Sequence, residues 1–417
     1  MRIWKLTDRV VSEFFARRSS HDAAAERIAA RIVADVRRNG DAALFRWALR
    51  LDGLPLTRRS MWIRRAEIRS ARRGVPRDLV RAIEHAARNI RRVAEQQRPR
   101  SWTVTVEPGV RVGQRVTPLG TVGCYIPGGR FSLFSTLLMT AIPAQVAGVK
   151  RIVVACPKPS LALLAAADIL GVAEIARIGG AQAIGAFAYG TESVPRADKI
   201  CGPGNRYVTA AKRLVSNDCA IDMPAGPTEV LILATGGIPR YIAADFLAQA
   251  EHDPDAIALL VTTSPRLAKD VAAEIEKQLR GLPESNPAWK SVQAASRILL
   301  APSLDAAIAF ANRVAPEHLS VPDAKKALVA KLSEAGSVFL GPLSAQPIGD
   351  YASGTNHVLP TSGWARARGG LSVFDFVKCS STQEISRAGL ERLTPVVTAM
   401  ARAEGLEAHA RAVEVRR

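Results

Sequence analysis

The sequence predicts an α/β protein with two doubly wound, incomplete Rossmann-like parallel-sheet lobes, an N-terminal helical segment and a C-terminal helical tail. From residue 119 onward, short runs rich in β-branched residues alternate with apolar segments of helical length. This alternation is typical of βαβ units, whose parallel sheets are covered by helices on both faces. A second set of such runs begins near residue 229. Two lobes are therefore expected.

The first 100 residues predict helices. Apolar residues recur at three-to-four spacing in DAAAERIAARIVADVRRNGDAALFRWALRLDG and in RDLVRAIEHAARNIRRVAEQQRP, the period of an amphipathic helix. Asn39-Gly40 and Asp52-Gly53 indicate turns. Residues 102–120 alternate between apolar and polar side chains, as expected of a pair of strands.

Each lobe is expected to hold five strands separated by helices. The first lobe has strands in TVGCYIP, RIVVAC, EIARIG, KICGPG and AIDMPA. The second lobe has strands in EVLILA, IALLVTTS, SRILLA, LSV and GSVFLG, with a long helix over 265–280 and another over 303–313. Residues 381–417 predict a helical tail.

Composition limits the class of protein. The chain has 417 residues, of which 48% are hydrophobic and 23% charged, a globular balance. No apolar run reaches the roughly 18–20 residues that a bilayer requires, and the N-terminus has no secretory pattern. The five cysteines are scattered, without CxxC pairs. Reduced thiols and a cytoplasmic location are therefore expected.

The formal charge of +19 is concentrated near the N-terminus, where residues 1–100 hold 25 Lys and Arg against 11 Asp and Glu. These cations alternate with Ala, Ile and Leu at helical spacing, without interleaved aromatic residues. The pattern favours solvated helix faces over a nucleic-acid interface. Non-specific affinity for polyanions at low salt is expected.

Four loops rich in glycine and proline follow successive strands of the first lobe. They are IPGG (126–129), GGAQ (179–182), GPGN (202–205) and PAGPT (224–228). Ligands of open parallel sheets bind beyond the carboxyl ends of strands. Each loop alone is explained as a turn, but four together favour a shared cleft. The chain lacks GxGxxG and GxxxxGK, so neither pattern argues for a nucleotide.

Polar residues cluster in the second lobe. Gln249 and His252 are three apart, which places them on one helix face, where they could be two metal ligands or His252 could be a surface or capping residue at the helix end. Glu317 and His318 are adjacent after a predicted helix. Asp350 and His357 lie in one polar loop, and His409 follows Glu404 by five residues in the tail. The remaining histidines, His21 and His85, are expected on helix surfaces.

The motifs are specific enough to indicate a family. Over roughly residues 20–415 the chain resembles the histidinol dehydrogenase family. The resemblance rests on GCYIPGG, LMTAIPAQVAGV, GGAQAIGAFAYGTESVP, KICGPGNRYVTAAKR, IDMPAGPTEVL, LAQAEHDPDA, APEHL, GSVFLG, GDYASGTNHVLPT and EGLEAHARAV, in the family's order and spacing.

The resemblance implies a metal site and a catalytic pair. One Zn²⁺ per subunit would be held by Gln249, His252, Asp350 and His409, the last from the partner subunit of an intertwined homodimer. Glu317 and His318 match the catalytic pair of a four-electron, NAD-dependent oxidation of L-histidinol, via L-histidinaldehyde, to L-histidine. In this scheme His318 accepts protons in both oxidations and Glu317 activates water.

The resemblance also implies contacts with the cofactor and the substrate. NAD contacts match Tyr125, Gln182 and Asn205. Substrate contacts match a larger set, in which Glu404 would pair with the substrate ammonium: Thr228, Gln249, His252, His318, Asp350, Glu404 and His409. His357 lies in a family motif, where a structural role and a substrate contact are both open.

The same resemblance suggests a division into domains. The expected units are a helical arm (1–20), a zinc and catalytic lobe (21–118 with 229–375), an NAD-binding lobe (119–228) and a tail (376–417) that contributes to the partner's active site.

Three other functions compete with this one. The family's usual residue at position 228 is serine, and Thr228 adds a methyl group, so a related zinc- and NAD-dependent dehydrogenase could oxidise another small polar alcohol, such as a sulfonated diol. A nucleic-acid-binding or regulatory module would be expected to have an inert site, whereas every catalytic position is filled here. A structural zinc protein would prefer four tight Cys or His ligands.

Overall fold

The computed structural model describes residues 1–18, 22–128, 133–224 and 226–417. His21, Gly129 and Ala225, which the sequence placed on a helix surface and in two of the glycine loops, lie outside these residues. The strands of the described chain are β1 (Ile3–Lys5), β2 (Trp102–Glu107), β3 (Val110–Pro118), β4 (Thr121–Tyr125), β5 (Arg151–Ala155), β6 (Glu174–Ala176), β7 (Lys199–Cys201), β8 (Ala220–Ile221), β9 (Glu229–Leu233), β10 (Ile257–Thr262), β11 (Arg297–Leu300), β12 (His318–Val321), β13 (Ser337–Leu340) and β14 (Val377–Ile385).

Helices cover both faces of the two large sheets. They are α1 (Asp8–Arg17), α2 (Ala23–Trp47), α3 (Arg65–Ala71), α4 (Arg77–Gln96), α5 (Phe134–Ala147), α6 (Leu161–Leu170), α7 (Gly180–Tyr189), α8 (Arg206–Val215), α9 (Pro239–Ala250), α10 (Pro265–Leu279), α11 (Ala288–Ala294), α12 (Leu304–Val314), α13 (Lys326–Val329), α14 (Gln346–Tyr351), α15 (Arg387–Ala403) and α16 (Glu407–Glu414). None of the described helices is long and apolar enough to cross a membrane.

Two parallel sheets form the lobes that the alternating pattern predicts. The described strands of the first sheet run in the order β6-β5-β4-β7-β8, and those of the second in the order β1-β11-β10-β9-β12-β13. The central strand of the second sheet, EVLIL in β9, is buried along its whole length. Strands covered on both faces read as continuous apolar runs, which is why these strands are visible in the sequence.

The N-terminal helices pack against the first sheet's lobe. Helix α2 contacts α7 and α8, α3 contacts α6, and α4 contacts α5. Their apolar faces share cores with that lobe, as Ile32 does with Ile184 and Ile83 does with Leu137. The sequence grouped residues 21–118 with the zinc and catalytic lobe instead. This packing places α2–α4 with residues 119–224, and the rest of the domain division stays a prediction.

Two strands were not expected from the sequence. In the segment assigned to a helical arm, β1 pairs parallel with β11. The tail expected to be helical begins with β14, which pairs antiparallel with β3 along nine residues. Most of β14 is exposed and polar, so no apolar run marks it. Its partner lies more than 250 residues earlier, and only the tertiary structure brings the two together.

The tail extends from this small antiparallel sheet. Helix α15 begins beside Gly109, where the Ser386 amide donates to the Gly109 carbonyl, and α15 and α16 pack against each other. Their outer faces leave large apolar side chains exposed, including Val396 (54%), Met400 (62%) and Val415 (78%). The tail therefore presents an apolar surface in one isolated chain.

The five cysteines are free thiols, as expected. Cys124, Cys156, Cys201 and Cys219 are buried, and Cys379 is exposed.

Candidate active site

A cleft between the two sheets brings together residues from both lobes. A cavity of about 190 Å³ is lined on one side by the loop 202–204 after β7 and on the other by Thr228, Glu317, His318 and Asp350. The first lobe contributes the GPGN loop at the carboxyl edge of its sheet, whereas the described residues of the IPGG and GGAQ loops do not line this cavity. The second lobe contributes the amino ends of β9 and β12, which the strand-end rule does not predict.

The register between β9 and β12 sets the contacts of the Glu317 carboxylate. His318 lies opposite Val230, so Glu317 lies beside the start of β9. Thr228 Oγ1 donates to Glu317 Oε2 at 2.5 Å, and the Glu229 amide donates to the same oxygen at 2.8 Å. Glu317 is 6% exposed. The carboxylate is thus fixed by two donors at the wall of the cavity.

Burial shifts the protonation of Glu317 and His318. Burial of the carboxyl group raises the pKa of Glu317 to about 7, against the opposing effects of His318 and of its two hydrogen-bond donors. For His318, burial disfavours the charged ring, but Glu317 and Asp350 outweigh it and raise the pKa. A buried carboxyl group with a pKa near 7 beside an imidazole can exchange protons with a substrate.

Hydrogen bonding fixes the tautomer of His318. Its Nδ1 lies 3.2 Å from the Glu229 carbonyl oxygen, which can only accept, so the neutral ring carries its proton on Nδ1. Nε2 is buried and makes no hydrogen bond within the described residues. The nearest carboxylate oxygen to Nε2, Asp350 Oδ1, is 3.6 Å away. Nε2 is therefore the nitrogen available to accept a proton.

Gln249, His252 and Asp350 lie around the same cavity. Gln249 is the penultimate residue of α9, fully buried, and its Nε2 donates to Thr228 Oγ1 at 2.7 Å. His252 and Asp350 line the cavity directly. Burial within the cleft lowers the pKa of His252. For Asp350, burial opposes ionisation, but the neighbouring histidines outweigh it and lower the pKa.

This donor set fits a zinc ion. A neutral imidazole, an ionised carboxylate and an amide are in the protonation states that ligands require. The described residues of one chain contain no cluster of three His, Cys, Asp or Glu side chains that could hold a metal. Of the residues that the family resemblance assigns to the metal, one chain brings the His252 imidazole, the Asp350 carboxylate and the Gln249 amide to the cleft.

The expected cofactor residues lie at the carboxyl edge of the first sheet. Tyr125 ends β4, and its hydroxyl accepts a hydrogen bond from the Gly180 amide at 3.1 Å. Burial raises the pKa of Tyr125 to about 12, so the hydroxyl stays protonated. Gln182 lies in the first turn of α7, where its Nε2 donates to Asp52 Oδ2 at 3.0 Å. Asn205 caps the N-terminus of α8.

Comparison with known proteins decides the family. Residues 15–417 match the family model described as histidinol dehydrogenase. The histidinol dehydrogenase of Halalkalibacterium halodurans is 47% identical over 92% of both chains, and that of Geobacillus kaustophilus is 48% identical over 92% of both. A crystal structure of histidinol dehydrogenase from Elizabethkingia anophelis matches with a TM-score of 0.92 and 38% identity, covering 99% of this chain and 96% of that one.

The chain belongs to the histidinol dehydrogenase family. It is accordingly an NAD-dependent oxidoreductase of histidine biosynthesis.

Two residues that the family resemblance assigns to the site are not near it in one chain. Glu404 and His409 lie in the tail and are exposed, and neither lines the cavity. The tail helices pack on each other instead. The structure therefore brings together Thr228, Gln249, His252, Glu317, His318 and Asp350, and leaves the two tail residues apart.

His357, whose role the sequence left open, lines the cavity. Its Nδ1 lies 2.8 Å from the Asp350 carbonyl oxygen, and its Nε2 lies 3.4 Å from Thr136 Oγ1. Burial lowers the pKa of His357. The ring is therefore neutral and supports the backbone of Asp350 from inside the cleft.

Sequence reasoning missed a buried ion pair at the cofactor edge. Lys212 and Asp222 form this pair, and both also bind Gly202. The Lys212 ammonium donates to the Gly202 carbonyl at 2.9 Å, and the Gly202 amide donates to Asp222 Oδ2 at 2.8 Å. Gly202 has φ +115°, and a Cβ there would lie 2.0 Å from the Tyr125 carbonyl oxygen. The pair fixes a loop that only glycine can form. A lysine in KICGPGNRYVTAAKR carries no sequence signal of burial.

Gln346 was also missed. It is 1% exposed, and its Nε2 donates to Gln249 Oε1 at 2.6 Å. Glutamine in a short loop segment is ordinarily a surface residue, so nothing in the sequence sets it apart.

Proposed function

We propose that the chain catalyses the four-electron oxidation of L-histidinol, through L-histidinaldehyde, to L-histidine with two molecules of NAD. The observation that carries the proposal is the convergence of Glu317, His318 and the amide, imidazole and carboxylate of Gln249, His252 and Asp350 around one cavity that faces the cofactor lobe. The arrangement combines the His318 imidazole as proton acceptor, the Glu317 carboxylate and a set of metal donors within one small cleft.

His318 serves as the proton acceptor. In the first oxidation, its Nε2 takes the hydroxyl proton while a hydride moves from the substrate carbon to NAD⁺, giving the aldehyde and NADH. The Glu229 carbonyl holds Nδ1–H, so the ring is oriented before substrate arrives. In the second oxidation, Nε2 takes the proton of the hydrated aldehyde as the second hydride leaves.

Glu317 serves the hydration step between the oxidations. Water must add to the aldehyde carbon before a second hydride can leave, and a base must accept a proton from that water. The pKa of about 7, raised by burial, suits a carboxylate for this task near neutral pH. Thr228 and the Glu229 amide keep it against the cavity wall.

Gln249, His252 and Asp350 would hold the zinc ion, with His409 supplied by a second copy of the chain. When bound, the ion orients the imidazole and amino nitrogens of the substrate. Glu404 of the second copy would pair with the substrate ammonium.

The intertwined homodimer is part of this proposal. It is supported by the exposed apolar residues of the tail. A cytoplasmic location is also proposed, supported by the free thiols.

The deciding experiment is the NADH yield per L-histidinol consumed, measured with purified zinc-loaded protein and excess NAD. A ratio near two, expected for a four-electron oxidation, supports the substrate and both steps. A ratio near one leaves the aldehyde as product and removes the second oxidation. No NADH from histidinol would leave the second candidate, a dehydrogenase of another small polar alcohol. The methyl group of Thr228, beside Gln249 and Glu317, is the feature that favours this candidate.

A further inference from the structure

Gln346 lies behind the proposed metal site, on the same helix as one of its ligands. Helix α14 begins at Gln346 and carries Asp350 one turn later. Residues four apart on a helix share a face. Asp245 on α9 precedes Gln249 by four residues, and the nearby Gln346 backbone amide opposes the burial that raises the pKa of Asp245 to about 6. Helices α9 and α14 are thus joined at the point where each presents a proposed ligand.

A chain of hydrogen bonds runs from Gln346 to the catalytic carboxylate. Gln346 Nε2 donates to Gln249 Oε1 at 2.6 Å, and Gln249 Nε2 donates to Thr228 Oγ1 at 2.7 Å. The Thr228 hydroxyl then donates to Glu317 at 2.5 Å. Each link fixes the donor direction of the next, because Gln249 has one carbonyl and one amino group. A partner at position 346 that could only donate would therefore hold the Gln249 amide nitrogen toward Thr228, and one that could only accept would hold the Gln249 oxygen there.

Gln346 Oε1 takes no part in this series of hydrogen bonds. Gln346 Oε1 is buried and accepts no hydrogen bond from the described residues. A buried acceptor without a partner costs about 1–3 kcal/mol. If the amides of Gln249 and Gln346 both turned over, Gln249 Nε2 could donate to Gln346 Oε1, and Gln249 Oε1 would face Thr228. A zinc ion binds the oxygen of an amide, since the amide nitrogen has no lone pair to offer.

We infer that Gln346 is a positioning residue that keeps the Gln249 amide hydrogen-bonded in either orientation and so lets Gln249 present its carbonyl oxygen to the metal. The inference rests on the proposed zinc site. Because Gln346 carries both a donor and an acceptor, it supports Gln249 in either orientation. In the orientation that zinc binding would require, Gln346 Oε1 would accept from Gln249 Nε2, and the Gln249 carbonyl oxygen would be free to bind the ion.

The experiment measures the zinc affinity of metal-free protein by competition with a chromogenic chelator. Gln346→Met keeps the length and apolar volume of the side chain but removes both hydrogen-bonding groups. It is expected to weaken zinc binding about 10- to 100-fold, the usual effect of losing a partner behind a metal ligand. Gln346→Glu keeps an acceptor for Gln249 Nε2 and is expected to bind zinc within about threefold of the wild type or more tightly.

Gln145→Met is the matched control. Gln145 is half-buried, and its amide bonds to the Leu170 carbonyl and to Arg91, away from the cleft. Its zinc affinity should equal that of the wild type. Thermal unfolding of each metal-free variant shows whether the fold is kept. If Gln346→Met does not fold, Gln346→Glu carries the test, and a tenfold loss of zinc affinity in that folded variant overturns the inference.

The outcomes separate the inference from the proposed function. Wild-type zinc affinity in folded Gln346→Met overturns the positioning role and leaves the zinc site intact. A wild-type protein that binds no zinc overturns the proposed metal site, and the inference falls with it. Loss in Gln346→Met with retention in Gln346→Glu supports the role, since a merely structural residue would not distinguish an acceptor from an apolar side chain of similar size.

Discussion

The substitution His318→Asn removes one nitrogen of the ring while keeping the contact made by the other. An asparagine amide nitrogen can occupy about the position of Nδ1 and donate to the Glu229 carbonyl, as His318 does at 3.2 Å. The group that disappears is Nε2, which makes no hydrogen bond within the described chain. The variant therefore tests proton acceptance with little change to the wall of the cavity.

The expected loss follows from the role of Nε2. A positioned general base contributes roughly 10²- to 10⁴-fold to a rate, which corresponds to about 3–5 kcal/mol of barrier. Both oxidations require His318 in the proposed mechanism, so kcat should fall by this factor with histidinol and with histidinaldehyde alike. The ring packs against Phe339, with 5.8 Å between centroids, and its loss should cost about 1 kcal/mol of folding free energy.

The assay follows NADH formation by absorbance, with each substrate supplied separately and zinc content measured on the same samples. His85→Asn is the matched control, because His85 is exposed on α4 and its loss should leave kcat unchanged. Full activity of folded His318→Asn with zinc bound would refute the reasoning. A loss confined to one of the two substrates would show that a different group accepts the proton in the other step.

Three further predictions concern the same cleft and its supports. Glu317→Gln should slow oxidation of the aldehyde more than that of the alcohol, because only the former needs water to be activated; equal losses with the two substrates in steady-state assays would contradict this. Arg18→Met should lower the free energy of unfolding by about 3–5 kcal/mol in denaturant titrations, because it leaves the carboxylate of Glu229 buried and without its ion-pair partner. A loss of stability below about 1 kcal/mol would contradict this reasoning. Asp375→Asn should cost about 3 kcal/mol at pH 7, because it leaves Lys199 buried and unpaired. Burial opposes ionisation of Asp375, but Lys199, Arg368 and the Ser372 amide together outweigh it and lower the pKa in the folded state. The stability from ionised Asp375 is therefore present above the unfolded pKa near 4 and is lost as pH falls through the lower folded pKa, so the difference from the wild type should shrink below about pH 4; a difference independent of pH from 3 to 7 would contradict the assignment.

Much of the fold could be predicted because its strands are covered on both faces. VLIL in β9 and IALLV in β10 are continuous apolar runs. By contrast, β1 has three residues and β14 is mostly exposed. Neither carries a local signal, because each is stabilised by pairing with a strand far along the chain.

The sequence also could not show which of the two lobes each N-terminal helix packs against. An amphipathic pattern shows that α2 and α4 bury one face, but not which sheet's lobe receives it. The structure packs both helices on the lobe of β4–β8. The sequence had grouped them with the other lobe.

By itself, the sequence determined the two-lobe α/β class, the glycine loops at the carboxyl edge of the first sheet, and the candidate residues from Tyr125 to His409. These depend on local periodicity, on residues with special backbone freedom, and on motifs that resemble a family. Only the tertiary structure decided that Thr228, Gln249 and Glu317 meet at the amino edge of the second sheet, that Gln346 stands behind Gln249, and that Glu404 and His409 lie outside the cleft of their own chain. Such contacts join residues tens to hundreds of positions apart, and the register of strands and the packing of helices that create them are set by the whole core rather than by any one segment.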